Sequence, residues 1–312
     1  MRNAFAEELT TLFNEDQRLV LLSGDIGNRL FDPLKAHAAD RFYNCGVAEA
    51  NMISMAAGMA ICGLRPITYT ITPFITARCL EQIRVDVCYQ NVPVVIVGTG
   101  SGLSYASLNA THHSCEDIAS LRVLPNMTVL CPGDAREVRL ALRAAVEHSG
   151  PVYIRIGKKG ESVVHQEPPH FAIGKWIPLR AGSDVALLST GNLLPLAEEV
   201  AVLLARRGVQ ASLHSCHTVK PLDQETLGNV FDRCQLVVTL EEHSHLGGFG
   251  GAVAEWISEQ TGPSAQLLRC GTADTFLYEA AEQSYAREQY GLTVDSVVMK
   301  ITQQLDSAVS RT

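Results

Sequence analysis

Short, almost wholly apolar runs recur along the first half of the chain. Each ends in a glycine or polar turn and is followed by a longer segment with helical spacing. Residues 19–25, 93–98, 127–131 and 152–156 are such runs, and their lack of apolar–polar alternation predicts strands buried on both faces. Strands that alternate with helices predict a parallel sheet covered on each side. Asp134 and Glu137 have the spacing of a helix capping box, and Gly150-Pro151 introduces the last run. Ligands of such sheets bind beyond the carboxyl ends of the strands, which points to residues 98–104 and to Thr111-His112.

The pattern breaks between Gly160 and Lys175, where Glu167-Pro168-Pro169-His170 reads as an extended linker. Beyond it, residues 185–189, 209–214, 236–240 and 266–269 read as strands. Residues 194–207 read as a helix stopped by Gly208, and residues 294–305 as a closing helix. The expected fold is therefore two α/β domains with mostly parallel sheets, at 1–165 and 177–312, joined by a linker at 166–176.

One polar residue stands out against this background. Glu49 is the sole acid between Arg41 and Leu80, and the segment after it, Met52 to Cys62, is apolar on nearly every helical face, so a buried helix is expected. A carboxylate entering such a core is costly unless something meets it. Either it favours the helix N-terminus through the dipole, or it is placed to bond a bound cofactor.

Composition narrows the setting. At 312 residues there is room for two domains, each with its own core. A formal net charge of −8 without any basic run argues against nucleic acid as a partner, and no apolar stretch is long enough to span a bilayer. The opening Met1 to Leu9 is an amphipathic, acid-bearing helix rather than a signal peptide. Nine cysteines are spread singly with no Cys-x-x-Cys pair, as expected of core residues in a reducing cytoplasm. The ten histidines show no metal-ligand spacing with them.

The ordered set Phe42 to Met52, Ala56-Ala57-Gly58, Thr72-Pro73-Phe74 with Arg78, Thr111-His112-His113, Leu124 to Met127 and Pro132-Gly133-Asp134 resembles the pyrimidine-binding domain of thiamine diphosphate enzymes, transketolases above all. The second half resembles the transketolase C-terminal domain through Gly182 to Val185, Lys220 to Asp223, Glu241-Glu242-His243 and Gly247 to Gly250. Those glycines fit a strand-to-helix turn better than a dinucleotide fingerprint.

The resemblance implies a role for each matched residue. Glu49 would bond the aminopyrimidine of thiamine diphosphate and make the cofactor's own amine a base, Phe74 would stack on that ring, and Arg78 would lie beside it. His112, with His113, would assist proton movement at the substrate, and Arg155 would hold a substrate phosphate, with Arg2 a weaker companion. On a strand interior, Arg155 could instead serve an ion pair.

Two departures bear on the substrate: Leu108 stands where sugar transketolases usually carry an aspartate, and Gly100-Ser101 where they carry a histidine or arginine. They imply an acceptor that is unphosphorylated, less hydroxylated or larger than a pentose phosphate. A third departure concerns the cofactor. Gly-Asp-Gly and Asn-Asn, which hold its diphosphate through Mg²⁺ (or Ca²⁺ or Mn²⁺), are missing from the sequence. The resemblance thus implies a larger N-terminal partner subunit that holds the metal, self-association in an α2β2 assembly, and transfer of a two-carbon ketol unit from a ketose to a carbonyl acceptor. The rival readings are the β-subunit of a 2-oxoacid dehydrogenase and a non-catalytic interaction subunit.

Overall fold

A computed structural model describes residues 1–27, 29–158, 160–262 and 265–309. Its first sheet has seven strands in the order β10-β5-β6-β4-β3-β1-β2, where β1 is Leu19–Ser23, β2 Phe42–Asn44, β3 Arg65–Ile71, β4 Val95–Thr99, β5 Thr128–Leu130, β6 Val152–Ile156 and β10 Thr218–Lys220. All neighbours are parallel except β10, which runs antiparallel to β5. Every residue of β1, β4 and β6 is buried, which is why these runs lack alternation.

The second sheet has five strands, ordered β12-β11-β8-β9-β7: β7 is Ile177–Arg180, β8 Val185–Ser189, β9 Ala211–Ser215, β11 Leu236–Ser244 and β12 Gln266–Thr272. It too is parallel apart from one edge strand, β7. Two α/β units with mostly parallel sheets are thus present.

The units interlock in a way that the sequence pattern does not announce. Strand β10 leaves the second half of the chain to extend the first sheet. One core runs from Met52, Ile53 and Ile96 through Tyr153 and Trp176 to Phe231 and Phe249, joining both units. Each such fully buried apolar side chain contributes roughly 1.5–3 kcal/mol. The opposite face of the first sheet is closed by the Arg2–Glu15 helix, through Phe5, Leu9 and Phe13, and by Val138 and Leu142 of the Ala135–Glu147 helix.

Asp134 caps that last helix, accepting from the N–H groups of Arg136 and Glu137, both at 2.9 Å. Glu137 reaches back to the N–H of Gly133 at 2.6 Å, one residue before the position a standard box would use. The other Asp134 oxygen accepts from Val164 and His165, so this stretch after the first sheet is fastened down by the cap.

The Glu49–Ile61 helix corrects one expectation. It buries Met52, Ile53, Ala56, Ala57 and Ala60, but Met55 and Ile61 face outward, in line with exposed Val47 and Tyr89. Ile61 is 66% exposed and Tyr89 80%. The helix is therefore apolar all round but covered on one side only.

Candidate active site

Glu49 opens its helix after a turn in which Gly46, at φ 65°, donates to the Asn44 side chain. The carboxylate is 2% exposed, and its Oε2 accepts from Nη1 of Arg78 at 2.8 Å. Arg78 comes from the segment beyond β3, where Thr72-Pro73 starts a single helical turn; proline suits a first turn because its missing N–H is not needed there. The same turn presents Phe74, and the Arg78 guanidinium lies 4.4 Å from the centre of its ring.

Beyond Phe74 stands His112, ring centres 5.1 Å apart in an edge-to-face arrangement. Its Nδ1 bonds the hydroxyl of Thr111 at 2.9 Å. Burial, and then His113, hold the imidazole below its ordinary pKa, so it is neutral at physiological pH. The series ends in Tyr105, whose ring centre is 6.0 Å from that of His112, and in Lys158, whose Nζ lies 4.6 Å over the tyrosine ring. Four residues singled out from sequence, Glu49, Arg78, Phe74 and His112, are therefore brought into one contiguous row.

The loop carrying His112 is braced from the second unit. Gly102 and Ser114 pair across it, the two backbone bonds being 3.1 and 2.9 Å. The buried carboxylate of Glu242, at the end of β11, accepts from the N–H of Leu103 at 3.0 Å, from Asn192 at 3.1 Å, from Gln283 and from Arg287. Gly102 has φ 60°, and a Cβ there would lie 2.5 Å from Glu242, so glycine alone fits. Gly100, at φ 75°, is required for a similar reason: a Cβ would come within 1.9 Å of the Tyr105 ring.

Two residues are not where the sequence placed them. Arg155 lies inside β6, 1% exposed, its Nε on Asp117 at 2.8 Å and its Nη2 on the carbonyls of Ser114 and Glu242. Tyr153 donates to the same Asp117 oxygen at 2.6 Å. This corrects the substrate-anion expectation in favour of the ion-pair alternative, because a strand covered on both faces turns its arginine inward. The cation that reaches the His112 side is Lys158, just past the strand's end, which no sequence pattern had marked. Arg2 does not accompany Arg155; it bonds the phenol of Tyr105.

His113 likewise departs from the row. It is buried, it lines a cavity with Cys115 and Glu116, and its Nε2 has no partner among the described residues. Among those residues no group of three or more His, Cys, Asp or Glu side chains is placed to hold a metal ion, and no helix is long and apolar enough to cross a membrane.

Comparison with known proteins gives the same picture over the whole chain. The family model for the transketolase pyrimidine binding domain matches residues 1–160, and that for the transketolase C-terminal domain matches residues 174–297. One of the two subunits of an apulose-4-phosphate transketolase from Actinobacillus succinogenes is 36% identical over 259 residues, covering 83% of either chain. A 6-deoxy-6-sulfo-D-fructose transketolase subunit of a Clostridium species is 35% identical over 303 residues, 96% of this chain and 92% of that one. Among solved structures, one described as a split gene transketolase, inactive beta4 tetramer, superposes with a TM-score of 0.87 at 34% identity, over 97% of this chain and 96% of the other.

Proposed function

The chain belongs to the transketolase family, and we propose that it is the small subunit of a two-chain, thiamine diphosphate-dependent transketolase. It moves a two-carbon ketol unit from a ketose donor to an aldehyde or other carbonyl acceptor. The observation that carries this reading is the single row formed by Glu49, Arg78, Phe74 and His112. A buried carboxylate acceptor beside an aromatic face fits an aminopyrimidine: Glu49 takes its hydrogen bond and Phe74 its ring face. Once bound, the cofactor supplies the carbanion-stabilising centre that no side chain offers.

This chain's residues supply the rest of its half-site. Neutral His112 accepts or donates a proton at the substrate oxygen, and Lys158 neutralises an anionic group on the substrate. The relatives are named for a phosphorylated and a sulfonated sugar, both anionic, which supports the lysine's role. Leu108 and Gly100, with Tyr105 packed over the latter, favour an acceptor with fewer hydroxyls at that side.

The diphosphate and its Mg²⁺ are assigned to a larger partner subunit bearing Gly-Asp-Gly and Asn-Asn, since hard cations need an oxygen cluster that this sequence does not carry as that motif. Val47, Met55, Ile61, Val85 and Tyr89 form an exposed apolar face suited to a second copy, giving an α2β2 assembly in the cytoplasm. The test is affinity capture from native extract with Mg²⁺ and thiamine diphosphate, followed by ketol-transfer assay of the captured complex. Recovery of the partner with ketol transfer supports the reading. Acyl transfer to lipoamide, or capture of the chain alone without cofactor binding, overturns it.

A further inference from the structure

The loop that turns His112 toward Phe74 turns His113 toward a cavity of about 410 Å³, walled on one side by residues 110–116 and on the other by residues 244–246, 272–277 and Tyr290 of the second unit. His113 is 8% exposed, and its Nε2 is buried with no hydrogen-bond partner among the described residues. The ring bonds the carbonyl of Ala106, and because Nε2 is the unpartnered nitrogen, the N–H given to Ala106 is that of Nδ1. Burial holds the imidazole below its ordinary pKa, so Nε2 carries a lone pair and asks for a donor.

The surroundings narrow what that donor belongs to. Glu116 and Asp274 line the cavity and, among the described residues, no lysine or arginine does, so a phosphate or carboxylate would meet only like charge. Glu116 already accepts from the N–H of Cys115, and burial raises its carboxyl, so the site is also a poor trap for a compact cation. Cys115 is no nucleophile, because burial pushes its thiol well above the ordinary value. Ser244 adds a hydroxyl, and Phe276 and Tyr290 add aromatic faces against which the carbon skeleton of a ligand can pack. The volume is within the range of small-molecule sites.

We propose that this cavity is a second ligand site, for a small uncharged polyhydroxylated molecule of the sugar type, bonded through a hydroxyl to Nε2 of His113. A ligand bound there touches the loop that also carries His112, on the residue next to it.

The test is titration calorimetry of the complex assembled with its partner subunit, without ketose donor, using D-glucose as the neutral probe, D-glucose 6-phosphate as the anionic one and putrescine as the cationic one. Glucose is expected to bind in the millimolar range and to bind about tenfold or more weakly to Ala273→Trp, which fills the cavity from its rim, and to His113→Phe, which removes the acceptor. His113→Gln, which restores an acceptor oxygen, is expected to recover part of the loss. Should the His113 variants fail to fold, Ala273→Trp decides alone. Absence of glucose binding, or equal binding to wild type and Ala273→Trp, overturns the proposal. So does tighter binding of the phosphate ester or of putrescine at a site that Ala273→Trp blocks.

Discussion

The guanidinium of Arg78 donates to the buried carboxylate of Glu49 at 2.8 Å while lying over the ring of Phe74, so one side chain fixes the two groups proposed to hold the aminopyrimidine. Glu49→Gln keeps the size and a hydrogen-bonding end but loses the charge that an activating acceptor needs. Turnover is expected to fall by at least about 100-fold, the scale of a lost acid–base function, with assembly intact by gel filtration. Turnover within severalfold of wild type removes Glu49 from the mechanism. Arg78→Met is expected to weaken cofactor binding severalfold, as both partners loosen, with a small effect on melting temperature because the arginine is half exposed.

Arg155 and Lys158 separate structure from substrate recognition. Arg155→Ala leaves Asp117 buried and unpaired, which costs about 3–5 kcal/mol and is read as a large drop in melting temperature or loss of soluble protein. Lys158→Ala should leave stability unchanged and raise KM for an anionic substrate while kcat holds. A melting temperature unmoved in the first variant, or a KM unmoved in the second, reverses the assignment.

Consecutive acids at the end of β11 respond to pH in opposite senses. Burial pushes the Glu241 carboxyl up to about 7, partly offset by the N–H groups of Gly250 and Phe249 that it accepts from. The native state then holds this proton more tightly than the unfolded chain, so Glu241 costs stability as pH rises from the ordinary carboxyl value of 4.5 toward 7. For Glu242 burial is outweighed by Arg287 and by the donors from Leu103 and Asn192, and its pKa falls below 4.5. Its stabilisation is present above the unfolded value and is lost as pH drops through the depressed one. Denaturant titrations of Glu241→Gln and Glu242→Gln across pH should therefore each flatten a different limb: the neutral side for the first, the acid side for the second. Parallel profiles in both variants contradict this account.

Much of the site was legible in the sequence because cost leaves marks. A lone acid at the mouth of an apolar helix needs a partner, and a histidine past a strand end sits where such sheets bind ligands, so residue type and spacing suffice to single out Glu49 and His112. Arg155 misled for a physical reason: a strand buried on both faces has no apolar alternation to say which way a side chain turns, and its arginine went inward to Asp117. Lys158, in a glycine-bounded turn, carried no pattern at all. Strand β10 is three residues long and pairs across the two units, so neither periodicity nor local propensity could reveal it. The brace from Glu242 to Leu103 is equally long in sequence and equally silent.

His112 offers the sharpest kinetic prediction. Its imidazole is held below the ordinary value of 6.5, by burial first and by His113 second, so the neutral form persists to lower pH than a free histidine would allow. Ketol transfer should therefore stay constant through neutrality and fall only on the acid side, as protonation removes the lone pair that takes the substrate proton. His112→Gln retains hydrogen bonding but cannot titrate. It should lower kcat by about 100-fold or more and abolish that acid limb, leaving binding of the cofactor close to wild type. If the limb survives in His112→Gln, another group gives rise to it, and the proton transfer belongs elsewhere in the assembled site.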